Sequence, residues 1–212
     1  NTWSSSSKGG CLSSAIKSQP YPRVQWHFLQ RVMETMELHP DFRLMVRALY
    51  DQARVHVKVN GQVSEGFEPA HGLHQGCPCS PVLYLLCLQS FMSLMATDDG
   101  DGDATRRLRG VELPRRDGVM VEMHAMGYAD DLVALLADEQ QLVRFKELLS
   151  VYERGSGAEN DWAEKTAAIR VGTLRTSTAF PLWDGPSEDQ LFGRGAIVRY
   201  LGVFLGAQEG VA

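Results

Sequence analysis

The sequence lacks three features that would each have pointed to a particular class of protein. It has no run of about 18 apolar residues, so no membrane-spanning helix is predicted. Four cysteines in 212 residues are too few and too unevenly placed for a secreted disulfide framework, so we expect free thiols in an intracellular, reducing compartment. The formal charge of −5 excludes a uniformly basic surface for nucleic acid. Any nucleic-acid site must therefore be local.

Acidic residues are absent from the first 33 positions, which are rich in serine; the first acid is Glu34. Such a composition suits either an organellar transit peptide or a flexible lead, and we expect a flexible lead over residues 1–20. One domain is expected over residues 21–206, followed by a tail at 207–212. Because the chain begins at Asn1, we interpret it as a fragment or a processed product.

The remaining pattern alternates helices with hairpins. Two apolar helical stripes follow Val24 and Pro40, Asn60-Gly61 predicts a hairpin turn, and Ser80-Pro81 predicts the start of a third helix. A second hairpin turning at 116–118, an apolar strand pair over 126–136, a fourth helix capped by Asp138, and strands at 169–171 and 200–205 complete the prediction. We therefore predict an α+β domain with a mainly antiparallel sheet covered by helices on one face.

Two adjacent acids, Asp130 and Asp131, interrupt the apolar segment Met126–Leu136. Unpaired carboxylates are costly to bury, so we predict that they lie at the tip of a hairpin or bind a metal. Paired carboxylates on one turn suit Mg²⁺, which binds one or two of them together with substrate phosphates.

Several motifs occur in a fixed order around this pair. They are the hairpin Val55–Ser64, the loop His71-Gly-Leu-His-Gln-Gly-Cys-Pro-Cys-Ser-Pro81, the tetrad Tyr128-Ala-Asp-Asp131, Ser156-Gly157 with Lys165-Thr166, and Arg199-Tyr-Leu-Gly-Val203. Together they resemble the palm of a reverse transcriptase of the non-LTR retrotransposon type. The resemblance implies a palm-like antiparallel sheet, with the fingers absent and the thumb largely absent.

The resemblance also implies a function and a set of site residues. The family is an RNA-directed DNA polymerase that extends a DNA primer on an RNA template with Mg²⁺. The implied catalytic residues are Asp130, Asp131 and Lys165, of which the two acids bind metal and the lysine donates a proton to pyrophosphate. The implied substrate-binding residues are Tyr21, Gln75, Gly76, Pro78, Ser80 and Tyr128.

The sequence departs from the family at its first carboxylate motif. Tyr21-Pro-Arg-Val-Gln-Trp26 fits the second half of that motif, which places Ile16 where the metal-binding Asp is expected and Pro22 where a second Asp is expected. Because two-metal catalysis needs carboxylates from both strands, we expect this chain to be catalytically incomplete. The alternative is a repurposed palm that acts as a structural or interaction subunit of a larger assembly.

Three other clusters have a competing interpretation. His71, His74, Cys77 and Cys79 have zinc-type spacing, but they fall inside the loop match, so we predict no zinc. Residues 98–103 (DDGDGD) lack the glycine and closing Glu of a calcium loop, so we predict a solvated loop. We expect the nearby arginines to neutralise those acids rather than to contact phosphate. They are Arg106, Arg107, Arg109, Arg115 and Arg116.

Overall fold

The protein is α+β, as the sequence predicts. A computed structural model describes residues 12–17, 21–51, 53–128, 131–159, 168–170, 191–192, 197–200 and 203–206. The helices in this part are α1 (Trp26–Thr35), α2 (Pro40–Tyr50), α3 (Ser80–Ala96) and α4 (Gln141–Ser156). The strands are β1 (Leu12–Lys17), β2 (Lys58–Val59), β3 (Gln62–Val63), β4 (Val111–Pro114), β5 (Met120–Met123), β6 (Ala125–Tyr128), β7 (Asp131–Leu136), β8 (Ala168–Arg170), β9 (Leu191–Phe192), β10 (Ile197–Tyr200) and β11 (Val203–Gly206).

Local signals account for where the helices begin. His39 precedes α2, and its Nδ1 accepts the Asp41 N–H at 3.3 Å, while Pro40 occupies the first helical position. α3 begins at Ser80 as predicted. Before α4, the Asp138 carboxylate accepts the Gln141 N–H at 3.2 Å, which confirms the predicted cap.

The main sheet has the strand order β6-β7-β1-β8-β9, and every described pairing is antiparallel except that of β8 with β9. The five residues Leu132–Leu136 are all buried. An uninterrupted buried run is typical of a strand covered on both faces, so β7 is a core strand and Asp131 stands at its first position.

Two segments differ from the sequence expectation. Residues 12–17, placed in a flexible lead, form β1 and pair with both β7 and β8. In the segment 200–205, predicted as one strand, Tyr200 instead ends β10 and residues 203–205 lie in the antiparallel β11, with Tyr200 opposite Val203. In both cases the segment forms strand because it pairs with another strand, and the sequence of the segment alone does not show which strand it pairs with.

The chain divides into two compact units. The first takes Asn1–Ser18, Phe91–Val151 and Asn160–Ala212, and the second takes Gln19–Ser90 and Tyr152–Glu159. This division was not predicted from the sequence, whose pattern indicated one domain over 21–206. Within the described residues, no helix combines the length and the apolar character needed to cross a bilayer.

Candidate active site

The hairpin β6–β7 carries the predicted acid pair. Its register places Tyr128 opposite Asp131 and Met126 opposite Val133. Asp131 therefore opens β7 next to the end of β6, as expected for acids near a hairpin tip. Asp130 and Lys165 lie outside the described residues, so their predicted roles stay predictions.

The strand that carries the first-motif position lies directly beside this hairpin. β1 runs antiparallel to β7, with Ile16 opposite Leu132 and Lys17 opposite Asp131. Position 16 is therefore one residue away from the partner of Asp131. The role that the motif spacing assigns to Ile16 stays a prediction.

The second half of the first motif is held by backbone contacts with the loop at 71–81. The Gly72 N–H donates to the Val24 carbonyl at 2.8 Å, and the Trp26 indole N–H donates to the Gly72 carbonyl at 2.7 Å. Gly72 has φ +97°, and a Cβ there would lie 2.6 Å from the Pro22 carbonyl oxygen. Only glycine fits this approach without a shift of the backbone.

A second glycine, Gly157, lies directly after α4 and packs closely against the same segment, residues 22–26. Gly157 has φ +75°, and a Cβ on it would lie 2.7 Å from the Arg23 carbonyl oxygen. The Gln25 N–H donates to the Ser156 carbonyl at 2.8 Å. The backbone of residues 22–26, which follows the predicted substrate residue Tyr21, is therefore held by two glycine motifs far apart in sequence. We call these contacts of Gly72, Ser156 and Gly157 with residues 22–26 the clasp.

The predicted substrate residues of the 71–81 loop differ in exposure. Gln75, Gly76 and Pro78 are exposed, and Gly76 has φ +87° with open space around it. Ser80 is only 1% exposed, and its hydroxyl donates to the His74 carbonyl at 2.7 Å. The loop thus presents its middle to solvent, while Ser80 holds its base together.

Aromatic rings support the base of this loop. The Tyr50 ring lies 5.2 Å from the His74 ring and 5.6 Å from the Trp26 ring, between centroids. The Tyr50 hydroxyl lies 3.5 Å from Ser80 Oγ, and burial raises the pKa of Tyr50. These contacts connect α1, α2 and the loop through buried and half-buried side chains.

The zinc-type residues of the loop do not form a ligand cluster in the part of the chain that is described. No group of three His, Cys, Asp or Glu side chains there could hold a metal ion. His71 Nδ1 instead lies 2.9 Å from the Pro22 carbonyl oxygen. The N–H of Cys79 contributes most to lowering the pKa of the Cys77 thiol. The absence of zinc in the purified protein is still to be measured.

The acid-rich segment 98–103 is organised by a residue that sequence reasoning missed. Arg144 on α4 donates to both oxygens of Asp98, at 2.6 and 3.1 Å, and to Asp101 at 2.9 Å and Glu147 at 2.8 Å. Asp98 also accepts the Leu108 N–H at 2.6 Å. The Arg144 guanidinium, with help from these backbone donors, lowers the pKa of Asp98 to about 2.

A sequence signal for Arg144 existed. The buried positions of α4 include Gln141, Phe145 and Leu148, and Arg144 falls on the same stripe at helical spacing. A charge on a buried stripe indicates a buried ion pair, because an isolated buried charge is too costly.

Most of the basic cluster is paired with acids, but the prediction that it neutralises the acids of 98–103 is wrong except for Arg106. Arg106 lies 3.1 Å from Glu147 and 3.9 Å from Asp101. The other ion pairs are Arg107 with Glu122, Arg109 with Asp138, and Arg115 with Asp117. These arginines are therefore largely neutralised within the protein.

Comparison with known families decides what this arrangement belongs to. A family model described as reverse transcriptase (RNA-dependent DNA polymerase) matches residues 7–204. The chain belongs to the reverse transcriptase family. This reverse transcriptase domain is also 28% identical over 196 residues to a Xenopus laevis protein described as transposon TX1 uncharacterized 149 kDa protein.

The alignment with that relative covers 92% of this chain but 14% of the relative. Both comparisons confirm the non-LTR reverse transcriptase type that the motifs indicated. Reverse transcriptases act on a nucleic-acid template and primer and use divalent metal ions.

The described strands of this reverse transcriptase domain do not fit a two-ion centre. In the five-stranded sheet, the described strands carry one carboxylate, Asp131. β1 reads Leu-Ser-Ser-Ala-Ile-Lys and supplies no oxygen ligand at Ile16. Two ions about 4 Å apart need several carboxylates from both strands, and β1 contributes none of them.

Proposed function

We propose that this reverse transcriptase domain retains the template- and primer-binding framework of its family but does not catalyse nucleotidyl transfer as it stands. One observation carries the proposal. Ile16 lies on the strand that pairs with β7, one position from the partner of Asp131, where the family resemblance implies a metal-binding Asp. An alkyl side chain cannot coordinate Mg²⁺.

Charge supports a weak rather than a tight interaction with nucleic acid. The protein carries 21 basic and 26 acidic side chains, and Arg106, Arg107, Arg109 and Arg115 already pair with acids. Each phosphate contact made by these arginines would compete with an existing ion pair. We therefore propose binding of primer–template at low ionic strength that falls steeply as salt is added.

Primer extension tests the catalytic part of the proposal. The unchanged chain, Ile16→Asp and Asp130→Ala are each incubated with an RNA template, a DNA primer, deoxynucleotides and Mg²⁺. We expect no extension by the unchanged chain, because loss of one member of a catalytic unit commonly removes most of the rate. Extension by the unchanged chain that Asp130→Ala abolishes would show that another acid replaces the one missing at Ile16.

Fluorescence anisotropy with a labelled RNA–DNA primer–template tests the binding part. Binding of the unchanged chain at low salt, in the presence of a chelator, supports a retained nucleic-acid framework. A chain that is folded by circular dichroism but shows no binding at any salt concentration would contradict the framework. That result would favour the alternative of a repurposed palm that serves as a structural subunit.

A further inference from the structure

Two cysteines lie in the tight turn that leads into α3. The Ser80 N–H donates to the Cys77 carbonyl at 3.1 Å, which closes a β-turn with Pro78 and Cys79 at its centre. Cys79 has a negative φ, so the turn has the near-helical type I conformation, in which proline is favoured at its first central position. In this geometry the Cα atoms of Cys77 and Cys79 are about 5.4 Å apart, and a disulfide requires about 4.4–6.8 Å.

The Cys77 sulfur is surrounded by hydrogen-bond donors at the start of α3. The N–H of Cys79 contributes most to lowering the pKa of the Cys77 thiol, against the opposing effect of burial, and the Ser80 and Cys79 side chains lower it further. The two thiols are therefore hydrogen-bond partners. Cys77 is half-buried and follows Gly76, which has open space around it. A partly exposed thiol with a lowered pKa is the reactive kind.

Cys87, the third cysteine in the described part of the chain, has the opposite character. Its side chain is fully buried within α3, and burial raises the pKa of its thiol to about 12. Cysteines buried in apolar surroundings are inert. Cys87 therefore provides an internal control for the reactivity of the other two.

We propose that Cys77 and Cys79 form a peroxide-sensitive thiol pair, in which hydrogen peroxide oxidises Cys77 and Cys79 then closes a disulfide across Pro78. A reactive, accessible thiol beside a second thiol is the usual arrangement of a redox-sensor cysteine. Because this disulfide closes a small ring in an exposed loop, a dithiol reductant should break it again. The chemistry does not depend on the proposed function, although the pair lies in the loop that carries Gln75 and Gly76, which are predicted to bind substrate.

The oxidation takes place in two steps. The Cys77 thiolate attacks one oxygen of hydrogen peroxide, so an S–O bond forms, the O–O bond breaks, and the departing hydroxide takes a proton to become water. The Cys79 thiolate then attacks the sulfur of the Cys77 sulfenic acid, so the S–S bond forms and the S–O bond breaks. A second hydroxide leaves and is protonated to water. The two thiols together lose two electrons and two protons, and the peroxide is reduced to two water molecules.

Thiol mapping in a Cys11→Ser background tests the inference, because this change removes the one cysteine that lies outside the described residues. The folded chain is treated with hydrogen peroxide and then unfolded in urea with iodoacetamide, and linked cysteines are identified by mass spectrometry of a digest. We expect two thiols to be lost from each chain, with Cys77 linked to Cys79 and Cys87 still alkylated. Dithiothreitol should restore both thiols.

Single replacements separate the roles of the two cysteines. In Cys79→Ser the sulfenic acid on Cys77 has no thiol partner, so dimedone should trap it there. In Cys77→Ser, dimedone should label Cys79 several-fold less over the same time, because the thiol with the lowered pKa is missing. Cys87→Ala is the matched control and should leave the yield of the disulfide unchanged. Circular dichroism confirms that the compared variants are folded.

A comparison with the unfolded chain isolates the contribution of the fold. The short sequence separation of Cys77 and Cys79 persists in urea, whereas the turn and the N–H contacts do not, so we expect the disulfide to form several-fold faster in the folded chain. Equal rates in the two states would overturn the proposal. So would peroxide treatment of the folded background chain that leaves both thiols free, or that links Cys87 or a second chain instead, and these results involve no variant at Cys77 or Cys79.

Discussion

Replacing Arg144 by methionine should destabilise the protein more than the loss of any exposed arginine. The Arg144 side chain is 9% exposed and that of Asp98 is 3% exposed, so the variant leaves a carboxylate buried without its main counter-charge. Asp98 keeps the N–H of Leu108 and of Gly100, at 2.6 and 3.2 Å, but loses two guanidinium hydrogen bonds. Methionine has a similar length, so packing changes little.

The expected magnitude follows from those two bonds. Hydrogen bonds to charged groups contribute about 1.5–3 kcal/mol each, and breaking one side of a buried ion pair costs about 3–5 kcal/mol. We therefore expect the free energy of unfolding to fall by about 4 kcal/mol. For a chain of this size, each kcal/mol corresponds to about 2–4 °C, so the melting temperature should fall by roughly 10 °C.

Urea unfolding followed by circular dichroism measures this change. Arg115→Met is the matched control, because Arg115 also pairs with an aspartate but its side chain is 67% exposed, and it should cost less than about 0.5 kcal/mol. Combining Arg144→Met with Asp98→Asn should cost less than the sum of the two single changes. If Arg144→Met lowered the free energy of unfolding by less than about 1 kcal/mol, and by no more than Arg115→Met does, the reasoning would be refuted.

Three further outcomes are expected. The pKa of Asp98 is lowered to about 2, so its contribution to stability is complete above its unfolded pKa near 3.9 and is lost as pH falls from 4 towards 2. In urea unfolding, the unchanged chain should therefore lose about 2 kcal/mol between pH 4 and pH 2 that Asp98→Asn does not lose, and an equal loss in both chains would contradict the lowered pKa. Gly72→Ala should cost about 2 kcal/mol more than Gly76→Ala in urea unfolding, because both have positive φ but only the first meets a carbonyl oxygen; equal losses would contradict the close approach. Elemental analysis should find no stoichiometric zinc, whereas one zinc per chain with lost stability on chelation would show a structural site in the 71–81 loop.

Features encoded by neighbouring residues were predictable from the sequence. Asn60-Gly61 forms its turn with φ +49° and +83°, Ser80 opens α3, and Asp138 caps α4. Each depends on a conformational preference or a hydrogen bond within a few residues. The family also followed from short motifs in order, which require no knowledge of packing.

Features that depend on distant partners were not predictable. β1 has no strand alternation, since it reads Leu-Ser-Ser-Ala-Ile-Lys, and it becomes a strand because it pairs with the buried β7. Arg144 and Asp98 are 46 residues apart, so neither predicts the other. The candidate site was predictable only in part. The acids of the tetrad could be recognised in the sequence, but the pairing of Lys17 with Asp131 is known only from the strand register.

The clasp on residues 22–26 affects how the chain can be made and divided. One side of the clasp comes from Gly72, and the other comes from Ser156 and Gly157, which follow residues 22–26 by more than half the length of the chain. During synthesis, the unit that holds this segment therefore cannot close until residue 157 has left the ribosome. The unit boundaries at 90/91 and 151/152 fall inside α3 and α4, so no single cut releases either unit as a continuous fragment. Limited proteolysis should accordingly yield nicked chains that stay associated rather than separate folded pieces.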